Sequence, residues 1–222
     1  MQNDSKPLAL IVGAGSGLSA SLARQCAAAG MRIALVARNT EKLKDFGGAR
    51  LYSCDVAEPA QVAELFDSLD RDEGTPDFVV YNPSYRARGA FTTLDPEEVR
   101  RSLMVTAYGG FLVAQGAVKR MLKLGRGSVF FTGASASIKG YAESAPFAMG
   151  KFALRGLAQS LAREFGPKGI HVAHFVIDGG IRRDEDGKLH PDAIAETYMS
   201  TYRQDRSAWS FEIDLRPWVE RF

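Results

Sequence analysis

The 222-residue chain holds only two cysteines and three histidines, and no apolar run approaches the ~18 residues that a membrane-spanning helix requires. Cys26 and Cys54 fit no CxxC or Cys/His ligand spacing, so neither a disulfide scaffold nor a zinc site is expected, and a reducing cytoplasm is the expected compartment. His171 and His174 lie three apart on a predicted strand, hence on opposite faces, and His190 falls in a polar loop, so no metal site is expected. The opening segment MQNDSKP has no basic stretch followed by an apolar one, and no leader is expected. An excess of one charge is also missing. The 28 basic and 26 acidic residues leave a net charge of +2, scattered along the chain, which argues against nucleic acid as the main partner, and no membrane partner is expected. No internal repeat, low-complexity tract or linker interrupts the chain.

With 45% hydrophobic residues, a chain of this length can bury a sizeable core, and one domain over residues 1–222 is expected. Short apolar runs of strand length recur at Leu8–Val12, Arg32–Ala37, Arg50–Ser53, Phe78–Tyr81, Ser128–Thr132 and His171–Ile177, with helical periodicity between them. That alternation predicts an α/β fold, a doubly wound parallel sheet with helices on both faces. A first helix is expected from about Ser16–Leu18 to Gly30, and capping boxes at Asp55–Glu58 and Asp95–Glu98 predict two further starts. Gly109 and Gly110 cost helix propensity inside a long helical segment, which points to close packing there. The tail SAWSFEIDLRPWVERF reads as a last strand and a docked end.

The first strand runs directly into Gly13-Ala-Gly-Ser-Gly17-Leu18. Glycines at such a turn let a ligand approach the backbone, and the following helix N-terminus offers free N–H groups to a pyrophosphate. The same glycines could serve only a tight connection. The second strand ends Val36-Ala37-Arg38, with no acid before Glu41. A carboxylate there would hold the ribose hydroxyls of NAD, whereas the planar fork of Arg38 suits a 2′-phosphate, so NADP(H) is the expected cofactor.

Across nearly its whole length the chain resembles the short-chain dehydrogenase/reductase family. In that family's GxxxGxG motif, Gly13 and Gly17 match and Ser19 stands at the last glycine. The resemblance implies cofactor contacts from Gly13, Ser16, Gly17 and Leu18, and from Asp55 and Val56 in CDV after the third strand. It also implies contacts from Asn82 after the fourth strand, from Lys151, and from Gly179 and Ile181 in DGGI after the sixth. Asp55 is equally able to cap a helix, and Asn82 to make an Asx-turn.

The family's catalytic tetrad is Asn, Ser, Tyr and Lys, and the resemblance places only the lysine, Lys151 in AMGKFALRGLAQSLAREFGPKGI. The tyrosine position, one helical turn earlier, holds Phe147, which has no proton to give. The asparagine position falls on Thr106 and the serine position on Ala134, with Ser135 and Ser137 close by. Lys151, Ser135 and Tyr141 of the loop SIKGYAES are the candidate catalytic residues, with Tyr85 a further candidate donor. A positioned acid or base contributes about 10²–10⁴-fold, so its loss must be made good elsewhere or the reaction has changed.

Three readings stay open. One is an NADP(H)-dependent oxidoreductase of a small carbonyl or alcohol, and another an enoyl-thioester reductase similar to the 2,4-dienoyl-CoA reductases, which draw their tyrosine from the preceding loop. The third is an NADP-binding protein without catalysis. The loop after Asn82, the loop 133–147 and the segment 180–207, with Tyr198, Tyr202 and Trp209, are expected to frame a small-molecule pocket. The resemblance further implies a homodimer or homotetramer.

Overall fold

Seven strands form one parallel sheet in the computed structural model, which describes residues 6–43, 46 and 48–220. The first five residues, on which part of the reading of MQNDSKP rests, and the last two of the tail lie outside these. The strands are β1 (Leu8–Val12), β2 (Arg32–Ala37), β3 (Arg50–Ser53), β4 (Phe78–Tyr81), β5 (Gly127–Thr132), β6 (Ile170–Ile177) and β7 (Glu212–Leu215). Their spatial order is β3-β2-β1-β4-β5-β6-β7, and all six pairings are parallel. The chain therefore leaves β1 towards one edge and returns at β4 on its other side. At such a reversal the two connections diverge and open a crevice outside the carboxyl ends of the strands.

Strand residues alternate between two apolar layers, as a pleat buried on both faces requires. Leu8, Leu10 and Val12 face α2 (Pro59–Asp72), α4 (Gly109–Leu124) and α5 (Ala145–Phe165) through Val62, Phe66, Val113 and Leu154. Ala9 and Ile11 face α1 (Leu18–Ala28) and α6 (Pro191–Tyr202) through Leu22, Cys26, Ala195 and Tyr198. Cys26 and Cys54 sit in opposite layers and are both free. Among the described residues no helix is long and apolar enough to cross a membrane.

The six strands and the first helix fall where the periodicity puts them, and the capping signals behave less uniformly. At Asp55–Glu58 no capping box forms. Pro59 is the first helical residue, and Glu58, held extended by the proline after it, is an N-cap without a side-chain bond. Asp55 instead accepts from the Ala57 N–H at 3.0 Å, in a turn ahead of the helix. Asp95 does cap α3 (Pro96–Leu103), accepting from the Glu97 N–H, but Glu98 binds the Tyr85 hydroxyl rather than returning to the cap.

The long segment after it divides into α3, one π-helical segment at Met104–Tyr108, and α4. Gly109 and Gly110 lie where α4 crosses β4. A Cβ on Gly109 would stand 2.6 Å from the Tyr81 hydroxyl and 2.9 Å from the Val56 carbonyl oxygen, so only glycine fits without displacing backbone. The tail supplies β7 as expected, but Trp218 is 82% exposed and does not dock.

Candidate functional site

Both loops that diverge at the switch point are tied down from within. Gly13 adopts φ +80°, and a Cβ there would stand 2.7 Å from the Pro83 nitrogen, so the β1–α1 turn and the loop after β4 are in backbone contact only because this residue is glycine. The N–H groups of Gly13 and Ala14 both donate to the Val36 carbonyl at 2.9 Å. The buried Ser19 hydroxyl donates to the Gly13 carbonyl at 3.0 Å and accepts from the Asn82 side-chain amide at 2.9 Å. A serine at the family's third glycine thus locks the turn to the loop, a role that its position in the motif does not announce.

Outside this joint the surface is open. A Cβ on Gly15 or Gly17 would meet nothing within 4 Å, and Gly17 caps α1 without a side-chain bond, leaving first-turn N–H groups for a ligand. Ser16 and Gly17 are exposed at this end, whereas the Leu18 side chain is in the core and only its backbone faces the turn. Beside it lies a cavity of about 420 Å³ walled by Gly13, Arg38, Asp55, Val56, Asn82 and Tyr85, among others. Arg38 is exposed on its rim and forms no ion pair with any described residue. Asp55 makes its turn ahead of α2 and also walls the cavity.

A second cavity, of about 650 Å³, shares Asn82 and Ser84 with the first and ends on Lys151. Lys151 is 3% exposed, and its ammonium donates to the Thr132 carbonyl at 2.6 Å. Burial, reinforced by the nearby Arg86 charge, pushes its pKa down to about 7. Phe147, also buried, lies beside it with the ring centre 5.8 Å from Nζ, and the Arg86 guanidinium stacks on the same ring at 4.3 Å. Ser135, Tyr141, Gly179 and Ile181 line this cavity. Ser137 does not. Its buried hydroxyl accepts from the Ala134 N–H at 3.1 Å and serves the loop.

Several residues expected at the pocket are placed elsewhere. Thr106, fully buried in the π-helical segment, accepts from the Tyr85 N–H at 3.2 Å and packs against Gly150, so it anchors the loop after β4 without reaching the cavity. The Tyr85 hydroxyl donates to Glu98, beneath the Arg101 guanidinium, and its wall is that of the other cavity. Of the segment 180–207 only residues 180–182 line the site, because α6 packs on α1 through Asp192, which accepts from Ser21 and Arg24. Tyr198 stacks on Phe175, with ring centres 3.6 Å apart, and bonds Thr132; Tyr202 packs on Phe78; and Trp209 stacks on His171. All three are structural. His174 pairs with Glu212 through Nδ1, and burial pushes its pKa down to about 4. Among the described residues no group of three or more His, Cys, Asp and Glu is gathered for a metal.

The site residues that periodicity and motif did not suggest are Arg86 and Arg88, from YRARG after β4, together with Glu143 and Arg182. Two arginines flanking a small residue just beyond a strand end would have been the signal.

A family model described as enoyl-(acyl carrier protein) reductase matches residues 13–207. A short-chain dehydrogenase from Rhodopseudomonas palustris is 32% identical and superposes with a TM-score of 0.85, covering 96% of this chain and 99% of that one. The chain belongs to the short-chain dehydrogenase/reductase family. A metagenomic short-chain oxidoreductase, solved in complex with NADP, is 25% identical with a TM-score of 0.86, covering 97% and 99% of the two chains. The 3-oxoacyl-[acyl-carrier-protein] reductase of Bos taurus is 29% identical over 189 residues, 83% of this chain and 79% of the relative.

The depressed lysine of this short-chain dehydrogenase/reductase has a measurable consequence. An unfolded lysine keeps its proton to about pH 10.4, whereas the folded one releases it near 7, so between these values the unfolded state binds more protons and stability rises with pH. Lys151→Met is expected to flatten that rise, which urea unfolding at pH 7 and pH 9.5 measures. An identical slope in both proteins would show that Lys151 titrates normally.

Proposed function

We propose that this protein is an NADP(H)-dependent oxidoreductase acting on a small carbonyl or alcohol, with Phe147 at the place of the family's tyrosine. The observation that carries the reading is that the two cavities share Asn82 and Ser84, with the guanidinium of Arg38, unpaired among the described residues, on one and the buried ammonium of Lys151 in the other. The glycine turn fits a dinucleotide by its unobstructed Gly15 and Gly17, and the absence of a side-chain cap on α1 leaves N–H donors for a pyrophosphate. Arg38 would hold the 2′-phosphate, Asp55 and Val56 the adenine side, and Asn82, Gly179, Ile181 and Lys151 the opposite end. Bound NADPH supplies a hydride.

The chain's own residues must then manage the proton. Lys151 holds one at an atom whose pKa lies near neutrality, the range in which an acid works best. Ser135 offers a hydroxyl to orient the substrate oxygen, and Tyr141, exposed at the mouth of the same cavity, is the phenol available to replace the one missing at 147. A second reading, reduction of a conjugated enoyl thioester, is favoured by the family model's description and by a site without a phenol in its depth. Loss of three tetrad positions also suits an NADP-binding protein without turnover.

Exposed Tyr108, Phe111 and Leu122 near and on α4, with Met149 and Phe152 on α5, make an apolar face suited to self-association, and a homodimer or homotetramer is part of the proposal. Light scattering is expected to give at least a dimer for the wild type and a smaller species for Phe152→Glu. A monomeric wild type contradicts it.

Cofactor choice tests the central reading. Arg38→Ala should weaken NADPH by about 10-fold or more, the scale of a charge-assisted hydrogen bond, and leave NADH nearly unchanged. Equal weakening of both in fluorescence titration sinks the NADP assignment. For the chemistry, wild type, Tyr141→Phe and Phe147→Tyr are compared on ketones and enoyl thioesters. The loop-phenol role predicts an active wild type and about a 10²-fold or larger loss in Tyr141→Phe, and an inactive wild type in which Phe147→Tyr alone switches on carbonyl turnover overturns that role. Tight NADPH binding with no turnover of any substrate by the wild type would leave the binding protein as the answer.

A further inference from the structure

The second cavity carries more positive charge than hydride transfer to a neutral ketone requires. Arg86, Arg88, Arg182 and Lys151 all line it, against the single carboxylate of Glu143. Arg86 and Arg88 form no ion pair with any described residue, Glu143 included. Among the described residues Arg182 reaches only the Ile181 carbonyl, at 2.9 Å. Arg86 and Arg88 flank Ala87, which is buried, and both line the cavity.

Their positions are held. The Gly89 N–H donates to the Glu143 carbonyl at 3.1 Å, tying the arginine loop to the loop that carries Tyr141. Arg86 lies over the Phe147 ring, where a guanidinium gains cation–π attraction, and its donors bond no described residue. Burial, and after it the Arg88 charge, lower the Arg86 pKa. Two like charges kept side by side without a counter-ion favour an anion between them.

We propose that Arg86 and Arg88 form an anion clamp, and that the substrate is a carbonyl or hydroxy compound bearing a carboxylate or phosphate group. The guanidinium edges bind the anionic oxygens, and the clamp places the substrate's reacting carbon beside Lys151. This rests on the reading of the site as that of a small-molecule oxidoreductase and names the substrate class within it. Arg86 and Arg88 are specificity-determining residues here, and the proton remains with the groups named above.

The test is calorimetric titration of 3-oxobutanoate, its methyl ester and inorganic phosphate into wild type, Arg86→Gln, Arg88→Gln and the double variant, with and without NADP⁺. The expected result is an anion affinity at least about tenfold above that of the neutral ester, falling about tenfold or more in each variant and with rising salt. A preference for 3-oxobutanoate identifies a carboxylate substrate, and a preference for phosphate a phosphorylated one. Arg86→Lys, with charge kept and the fork removed, should retain the thermal stability of the wild type and only part of the affinity. No saturable anion binding, equal affinity for acid and ester, or anion binding undiminished in well-folded variants overturns the clamp. Weakening of NADPH alone in the variants overturns it as well. Failure of the oxidoreductase reading is separable, because it appears as absent NADPH binding while the cofactor-free protein still takes up the anion.

Discussion

β1 is hydrogen-bonded in parallel to β2 on one side and to β4 on the other, and the functional architecture hangs from that arrangement. Parallel neighbours require crossovers, and here the crossovers leave β1 in opposite directions, so the loops at the carboxyl end diverge. The gap they leave would be a weak point were it not bridged. Gly13 against Pro83, and Ser19 between the Gly13 carbonyl and Asn82, hold its two sides at a set separation. The crevice is thereby preorganised, and the groups that line it are presented from strand ends and helix starts that cannot easily move.

Within that frame the second cavity is dominated by positive charge, the buried ammonium of Lys151 and the exposed guanidiniums of Arg86, Arg88 and Arg182. Lys151 has one backbone carbonyl to offset its desolvation and Arg86 nearby to increase the cost, so its proton is held weakly. Phe147 takes part in the same balance. A phenol at this position would place a hydroxyl among the cations, whereas the phenylalanine offers them only a ring face, shared by Arg86 and Lys151. Phe147, Arg86 and Lys151 are therefore parts of one local environment.

Periodicity and turn chemistry anticipated the strands, the glycine turn and the close packing at Gly109, because each depends on residues adjacent in the chain. The capping box at Asp55–Glu58 did not form because Pro59 starts the helix one residue after Glu58, and Asp55 finds a nearer partner in Ala57. Tyr198, Tyr202 and Trp209 suggested a pocket by composition, yet each has a long-range aromatic partner, Phe175, Phe78 and His171, that draws it into the structure. Ser135 was the candidate by its place next to the family's serine position, and the short turn at 135–137 directs the Ser137 hydroxyl to the loop backbone and leaves Ser135 at the cavity.

The amino-acid sequence by itself determined the parallel α/β architecture, the place of the glycine turn and the pairing of Phe147 with Lys151 on one helical face, since these follow from spacing along a single element. Only the tertiary structure decided that Arg86 lies on Phe147, that Thr106 anchors a loop, and that Ser19 joins Gly13 to Asn82. Those contacts join residues far apart in the chain, and the burial that shifts Lys151 towards neutrality exists only after the sheet and its helices have closed around it.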